Sequence, residues 1–180
     1  MIRIAFAGNP NSGKTTMYNA LTGSNEKVGN WAGVTVDKKE STIKKAFSGG
    51  QELIAVDLPG AYSMSPFTSE ESVTSEYVRN ENVDVIINIV DATNLSRSLF
   101  FTTQLMELGI PMVIALNKSD LTKKKKTRID VDALSRALGC PVVETVSTDF
   151  NQDDLAVLIK RPLPSTGKLR KHPTPRVMWT

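Results

Sequence analysis

Cysteine and histidine are almost absent from this sequence, which has one of each among its 180 residues. The single cysteine, Cys140, cannot form an internal disulfide, and this fits a reducing compartment. The single histidine, His172, lies in a proline-rich segment and indicates no metal or catalytic role. No group of cysteine, histidine, aspartate and glutamate residues has the spacing of an Fe²⁺ site, so none is predicted.

Long hydrophobic runs are missing as well. The longest apolar stretches, residues 85–90 and 112–116, are far shorter than the roughly 20 residues that a membrane-spanning helix needs. No signal segment precedes the first predicted strand, which begins at once after Met1. These absences predict that this piece of chain lies in the cytoplasm.

Acidic residues are absent from the end of the chain. From Lys160 onward there are six basic residues and no acidic ones. Because the whole sequence has 22 basic and 19 acidic residues, the remainder has 16 basic against 19 acidic residues. A mildly acidic body argues against nucleic acid as a partner, since phosphate-backbone binding needs a basic face. The basic end fits a solvated linker, or a segment that meets a membrane or a further domain.

Predicted strands and helices alternate along the rest of the chain. Six strands are predicted, at residues 2–7, 36–47, 51–58, 83–90, 111–116 and 142–146. Helices are predicted at residues 14–21, 70–80, 94–108, 130–138 and 153–160. Segment 24–36 is polar and glycine-rich and indicates a loop, and the lysines of segment 36–47 indicate an edge strand. The order predicts an α/β fold: a mostly parallel six-stranded sheet with helices on both faces.

The segment from Gly8 to Thr15 matches the phosphate-binding pattern G-x-x-x-x-G-K-[ST] at every required position. A predicted strand precedes it and a predicted helix follows it, as this motif requires. Glycines let successive backbone N–H groups point at an anion, and the helix dipole adds positive potential there. We expect Lys14 to bind the β- and γ-phosphates and Thr15 to ligate Mg²⁺. The motif therefore predicts a P-loop NTPase.

The pattern N-K-x-D, at residues 117–120, follows the predicted strand 111–116. The Asp120 carboxylate can accept hydrogen bonds from the N1–H and 2-amino groups of guanine, a pairing that adenine cannot make. We expect Asn117 to tie neighbouring loops together and the stem of Lys118 to lie along the base. A second base-contacting loop is expected where the next strand ends, at Val146, Ser147 and Thr148.

The pattern D-L-P-G, at residues 57–60, indicates how a γ-phosphate would be sensed. Asp57 can hold Mg²⁺ through water, and the Gly60 N–H can meet a γ-phosphate oxygen. We expect Thr35, in the loop after the first helix, to close onto Mg²⁺ and the γ-phosphate and to release on hydrolysis. Ala61 stands where a water-orienting glutamine is usual, so transition-state charge must be offset in another way. Slow intrinsic turnover is the expected consequence.

Four longer stretches are more specific sequence motifs: V-G-N-W-A-G-V-T-V, D-L-P-G-A-Y-S, D-A-T-N-L and T-Q-L-M-E-L-G. In these stretches the chain resembles the amino-terminal G domain of FeoB-type ferrous iron transporters, over about residues 1–160. The resemblance implies a Ras-like G domain that binds and hydrolyses GTP, and that regulates or drives Fe²⁺ uptake by an attached transmembrane permease. It also implies a location on the cytoplasmic face of the inner cell membrane. Residues 161–180 would be a linker or the start of a truncated helical spacer.

The resemblance further implies a K⁺ site. Asn11 matches an asparagine that is linked to K⁺ binding in this family, and backbone carbonyls near Gly29 and Trp31 would complete the site. A K⁺ ion there would place positive charge where other GTPases receive an arginine side chain, so K⁺ would stimulate hydrolysis. A homo-oligomer is left open.

The predicted site falls into overlapping groups of residues. The predicted catalytic residues are Asn11, Lys14, Thr35 and Gly60. The predicted Mg²⁺ ligands are Thr15, Thr35 and Asp57. The residues predicted to contact GTP or GDP are Gly8, Asn9, Pro10, Asn11, Ser12, Gly13, Lys14, Thr15, Thr16, Gly33, Val34, Thr35, Asp57, Gly60, Asn117, Lys118, Asp120, Val146, Ser147 and Thr148.

Two other classes of function fit the general motifs. A ribosome-assembly or tRNA-modification GTPase also lacks the water-orienting glutamine, but the acidic body and the lack of an RNA-binding module argue against it. A switch that binds GTP with negligible hydrolysis is the second alternative.

Overall fold

The structure is a computed structural model that describes residues 1–23 and 27–147. The predicted helix 153–160, Thr148 and segment 161–180 lie outside these residues. Seven strands are described: β1 (Ile2–Gly8), β2 (Lys27–Asn30), β3 (Asp37–Thr42), β4 (Leu53–Asp57), β5 (Val85–Asp91), β6 (Met112–Asn117) and β7 (Val142–Glu144). The α-helices are α1 (Lys14–Leu21), α2 (Lys45–Ser48), α3 (Ser69–Asn80), α4 (Leu95–Met106), α5 (Ser119–Lys124) and α6 (Val131–Leu138).

The strands form one mostly parallel sheet in the order β2-β3-β4-β1-β5-β6-β7. Strand β3 runs antiparallel to both β2 and β4, and the remaining neighbours are parallel. The α/β class is confirmed, but the predicted count of six strands is wrong. The additional strand is β2, which lies in the segment predicted as a loop.

Strand β2 also corrects the predicted edge strand. It pairs with β3 from Lys27 opposite Glu40 to Asn30 opposite Asp37, so β3 lies inside the sheet and β2 forms its edge. The predicted strand 36–47 is shorter than expected, because it ends at Thr42 and the chain turns into α2 at Lys45. Main-chain hydrogen bonds hold β2 in place, and these do not require the apolar alternation from which strands are predicted.

Helices cover both faces of the sheet. On one face, Met17 and Leu21 of α1 pack with Ile4 and Phe6 of β1. On the other face, Ala5 and Ala7 of β1 pack with residues of α3 and α4, among them Val73, Tyr77, Phe101 and Leu105. Because strand side chains alternate between faces, β1 contributes to both cores and is buried from Ile4 to Gly8. Its carboxyl end, where Gly8 begins the phosphate-binding loop, is therefore fixed from both sides.

Several helices begin and end where their sequences indicate. Thr68 caps α3 by accepting a hydrogen bond from the Glu71 N–H at 3.1 Å, and Asp130 caps α6 by accepting one from the Ala133 N–H at 2.9 Å. Helix α6 ends at Gly139, whose φ of 66° lies in the left-handed region that glycine adopts without strain. No helix of the described residues is long and apolar enough to cross a bilayer.

Candidate nucleotide-binding site

A cleft of about 440 Å³ opens beyond the carboxyl end of β1, at the start of α1. Its lining residues are Asn9, Pro10, Asn11, Gly13, Lys14, Thr15, Thr16, Gly60 and Glu70. In parallel α/β sheets, ligands bind at this end of the strands. The phosphate-binding motif and Gly60 of the D-L-P-G motif therefore meet in one cavity.

The backbone of the phosphate-binding loop is tightly constrained. Asn11 and Gly13 have φ angles of 62° and 93°, in the left-handed region. A Cβ atom at Gly8 would lie 2.7 Å from the Ile89 carbonyl oxygen, so only glycine fits there. Asn9 Oδ1 and Ser12 Oγ are buried and have no hydrogen-bond partner in the described residues. Buried polar atoms without partners are costly, so their presence beside the cleft favours a polar ligand there.

The loop carries a cation beside a carboxylate. Lys14 Nζ donates a hydrogen bond to Asp57 Oδ1, and both side chains are buried. The Thr15 hydroxyl lies 3.4 Å from Asp57 Oδ2. The structure thus brings together the predicted phosphate-binding lysine and two of the predicted Mg²⁺ ligands. A hydroxyl and a carboxylate are oxygen ligands, which Mg²⁺ prefers.

Gly60 and Ala61 lie against the phosphate-binding loop. A Cβ atom at Gly60 would be 3.0 Å from the Cα and N atoms of Pro10, which shows how closely the two loops approach. The Ala61 N–H donates to the Gly8 carbonyl oxygen at 3.1 Å, and the Ala61 side chain is buried in the core. The Ala61 methyl group therefore lies in the core, and it cannot orient a water molecule.

Asn117 joins the guanine loop to the phosphate-binding loop. Its Nδ2 donates to the Ser12 carbonyl oxygen at 2.8 Å and to Ser147 Oγ at 3.0 Å. Its Oδ1 accepts from the Ser147 N–H at 2.8 Å. The side chain is fully buried, and a Cβ atom at Gly13 would overlap it. Three loops that are distant in sequence are thus held together by one amide.

Lys118 makes a second connection between these loops. It has a φ of 60°, and its Nζ donates to the Asn11 carbonyl oxygen at 2.8 Å and to Asp91 Oδ2 at 2.7 Å. Burial would raise the pKa of the Asp91 carboxyl, but hydrogen bonds from Lys118 and Thr93 outweigh it and keep that pKa below its ordinary value. Sequence reasoning assigned no role to Asp91. Its position at the carboxyl end of β5 was the available signal.

The remaining base-loop residues lie beyond β6 and β7. Asp120 is half-exposed in the first turn of α5, and the backbone places it beyond the Asn117–Lys118 pair. Val146 and Ser147 follow β7 and are half-buried. Thr148 is the predicted contact that cannot be placed, since it lies outside the described residues.

The loop that contains Thr35 does not line the phosphate cleft. Thr35 is exposed and, with Gly33 and Val34, lines a separate depression of about 590 Å³. Trp31 is buried and packs edge-on against Tyr77, with ring centroids 5.0 Å apart. No contact in the described residues joins Thr35 to Thr15 or Asp57, and the burial of Trp31 against Tyr77 packs the start of this loop on the core.

Two of the predicted K⁺ ligands belong to the same loop region. Gly29 lies in β2, exposed and paired with Lys38 of β3. The Trp31 carbonyl oxygen accepts from the Val34 N–H at 3.3 Å. Asn11 is exposed and lines the phosphate cleft. These three residues are not gathered around one point by any contact in the described residues.

A parallel sheet with this phosphate-binding loop, and with an N-K-x-D loop clamped to it, defines a P-loop G domain, the fold class of the GTPases. The family model for ferrous iron transport protein B (FeoB_N) matches residues 2–159. The chain belongs to this family, as its amino-terminal G domain. The predicted fold class and the family resemblance are both confirmed.

Similar proteins extend this finding. The Fe(2+) transporter FeoB of Salmonella typhimurium is 50% identical over 151 residues, which cover 82% of this chain and 19% of the transporter. The FeoB transporter of Escherichia coli (strain K12) is 48% identical, with the same coverage of both chains. The chain thus spans about a fifth of the length of these curated relatives.

Solved structures of the same domain are also similar. A mutant of S. thermophilus NFeoB bound to GDP is 47% identical with a TM-score of 0.82, over 90% of this chain and 60% of that one. The cytosolic domain of L. pneumophila FeoB is 38% identical with a TM-score of 0.82, over 89% of this chain and 63% of that one. Because the first of these proteins is bound to GDP, the comparison supports nucleotide binding by this fold.

Proposed function

We propose that this domain binds GTP and hydrolyses it to GDP and phosphate in the cleft beside Lys14. The observation that carries the proposal is the clamp made by Asn117. It fixes the predicted guanine loop against the backbone of Ser12, so phosphate and base contacts belong to one ligand. The half-exposed Asp120 carboxylate supplies the acceptor that distinguishes guanine from adenine.

Mg²⁺ fits the oxygen atoms at the base of the cleft. Thr15 Oγ1 and the Asp57 carboxylate already lie side by side, and Thr35 would add a hydroxyl when its loop closes. Mg²⁺ supplies charge neutralisation to the phosphates when it is bound. Lys14, which contacts Asp57 in this structure, would turn its ammonium group to the β- and γ-phosphates.

Hydrolysis would be slow, because the chain offers little to position the attacking water. The Ala61 side chain is buried, so that task falls to main-chain groups, of which the Gly60 N–H borders the cleft. For Thr35 to reach the cleft, its loop must move and the contact of Trp31 with Tyr77 must loosen. Loop closure would therefore be coupled to the γ-phosphate, as in a nucleotide switch.

K⁺ would stimulate the reaction by occupying a position beside Asn11. The Asn11 side chain is exposed at the rim of the cleft and has a carbonyl oxygen to offer. The carbonyl oxygens of Gly29 and Trp31 would join it when the loop closes, since the Trp31 carbonyl oxygen is engaged by Val34 in this structure. The added positive charge would offset charge that develops on the phosphates in the transition state.

The whole protein would be a ferrous iron transporter. The curated relatives are named as Fe(2+) transporters and are about five times longer than the matched region, which leaves room for an attached transmembrane Fe²⁺ permease. This domain would then lie at the cytoplasmic face of the inner membrane and regulate or drive transport. It would have no nucleic-acid partner, and its oligomeric state is left open. Within the described residues, no three His, Cys, Asp or Glu side chains form a metal-binding group. No observation favours a ribosome-assembly or tRNA-modification GTPase.

Single-turnover hydrolysis of GTP with Mg²⁺, in K⁺ and in Na⁺, tests the proposal. We expect phosphate release that is faster in K⁺ for the unaltered chain. Asn11→Ala is expected to lose this difference while GDP affinity stays within about threefold, because backbone N–H groups of the loop, rather than this side chain, would bind the phosphates. Absence of phosphate release in both salts would leave a binding-only switch, and equal stimulation of Asn11→Ala would refute its role at the K⁺ site.

A further inference from the structure

The Asp91 carboxylate lies at the site, but none of the nucleotide-binding motifs assigns it a role. It ends β5 and pairs in register with Asn117, which ends β6. Its Oδ1 accepts from the Thr93 N–H at 2.9 Å and from Thr93 Oγ1 at 2.5 Å. Its Oδ2 accepts from Lys118 Nζ at 2.7 Å. Both oxygens are engaged, so the carboxylate is fixed in position rather than free to turn.

The ammonium group of Lys118 links two segments of left-handed backbone. Lys118 and Asn11 are two of the three non-glycine residues with positive φ in the described chain, at 60° and 62°. One hydrogen bond, from Lys118 Nζ to the Asn11 carbonyl oxygen, joins them. Left-handed backbone costs about 1–2 kcal/mol for an ordinary residue such as lysine and less for asparagine, so the Lys118 conformation in particular needs support from its surroundings.

Asp91 supplies that support from a rigid element. A lysine side chain has four rotatable bonds and loses rotamer freedom when it is held in one place. The carboxylate of Asp91, anchored to β5 and to Thr93, holds the ammonium where it also reaches Asn11. The Asp91 side chain is 17% exposed and that of Lys118 is 31% exposed, so the pair is partly screened from water.

We propose that Asp91 is a positioning residue for the nucleotide site: through Lys118 it couples the guanine loop to the Asn11 turn of the phosphate loop and so slows nucleotide release. The proposal deepens the proposed function and rests on it. Asp91 touches neither base nor phosphate in this account, because its two oxygens are taken by Lys118 and Thr93. Its effect is expected to disappear when Lys118 can no longer transmit it.

Asp91→Asn removes the charge with little change of shape. The amide oxygen can still accept from the Thr93 N–H, but the amide nitrogen would then face the Lys118 ammonium and cannot accept from it. We expect release of a fluorescent GDP analogue from the 180-residue chain to be about fivefold to tenfold faster. This is somewhat less than a fully buried charged hydrogen bond would give, because the pair is partly exposed.

Asp130→Asn is the matched control. Asp130 also caps a helical turn by accepting a main-chain N–H, at 2.9 Å, but it lies in front of α6, and within the described residues it is not among those that line the cleft. Asparagine caps as well as aspartate, so GDP release is expected to be unchanged. Thermal unfolding of the nucleotide-free proteins completes the comparison. A role in folding alone would lower the melting temperature of Asp91→Asn without a specific gain in release rate.

The double variant decides between a direct and a transmitted effect. If Asp91 acts through Lys118, then Asp91→Asn combined with Lys118→Ala will release GDP no faster than Lys118→Ala alone. Multiplied effects in the double variant, or a release rate of Asp91→Asn equal to that of the unaltered chain, would overturn the inference. If the unaltered chain binds no GDP, the proposed function itself fails, and that outcome is distinct because it appears before any variant is compared.

Discussion

Replacing Gly13 with alanine tests how the site is held together. Gly13 has a φ of 93°, a conformation that costs alanine about 1–2 kcal/mol. The added Cβ would overlap Asn117 Nδ2 and lie 2.8 Å from Ser147 Oγ. Since Asn117 is fully buried, it cannot swing into solvent to make room. The substitution is therefore expected to break the clamp between the loops as well as strain the backbone.

The size of the effect follows from the bonds that Asn117 makes. Displacing it removes its bonds to the Ser12 carbonyl oxygen and to the main chain and hydroxyl of Ser147. At about 1 kcal/mol for each bond, together with the backbone strain, the free energy of unfolding falls by about 4–5 kcal/mol. For a domain of this size, that corresponds to a decrease of about 8–20 °C in melting temperature.

Gly139→Ala is the matched comparison for the strain alone. Gly139 has a φ of 66°, and no atom lies within 4 Å of the position of an added Cβ. Its melting temperature is expected to fall by about 2–8 °C, which corresponds to about 1–2 kcal/mol. Circular dichroism of the nucleotide-free proteins measures both shifts. Equal decreases for the two variants would refute the view that Asn117 holds the loops together.

Two further predictions concern loop closure and charge. Thr35→Ala is expected to slow single-turnover GTP hydrolysis by at least about tenfold. It is expected to change GDP affinity less than about threefold, because Thr35 lies outside the cleft in this structure. A hydrolysis rate equal to that of the unaltered chain would count against the role of Thr35. The Asp91–Lys118 pair is expected to be insensitive to pH between about 5 and 8. The folded-state pKa of Asp91 is lowered from its ordinary value of 3.8. The stabilisation that the ionised pair gives to the fold is therefore present above 3.8 and is lost only as pH falls through the lowered pKa. A change in GDP release between those pH values that Asp91→Asn abolishes would contradict this assignment.

Sequence patterns predicted the parts of the fold that depend on burial. Strand β5 is mostly apolar because it is covered on both faces, and α1 has the predicted bounds because the phosphate motif sets its start. Strand β2 was not predicted, because main-chain pairing with β3 holds it and the glycine and asparagine it contains usually indicate a loop.

The site could be predicted by residue identity but not by arrangement. The motifs named Asn117 and Lys118, yet only the structure shows that Asn117 contacts Ser12 and Ser147. Trp31, in the loop region before Thr35, packs against Tyr77. These two residues are 46 positions apart in sequence. Such contacts have no local signal, because they arise only when the sheet is assembled.

Competition between nucleotides tests whether the cleft selects guanine. A fluorescent GDP analogue bound to the chain in Mg²⁺ would be displaced by increasing GTP or ATP. We expect GTP to displace it at concentrations at least about 100-fold lower than ATP, since only guanine satisfies the Asp120 carboxylate, and we expect Asp120→Ala to remove most of that difference. Displacement by ATP at the same concentration as GTP would contradict the assignment of this cleft to guanine nucleotides.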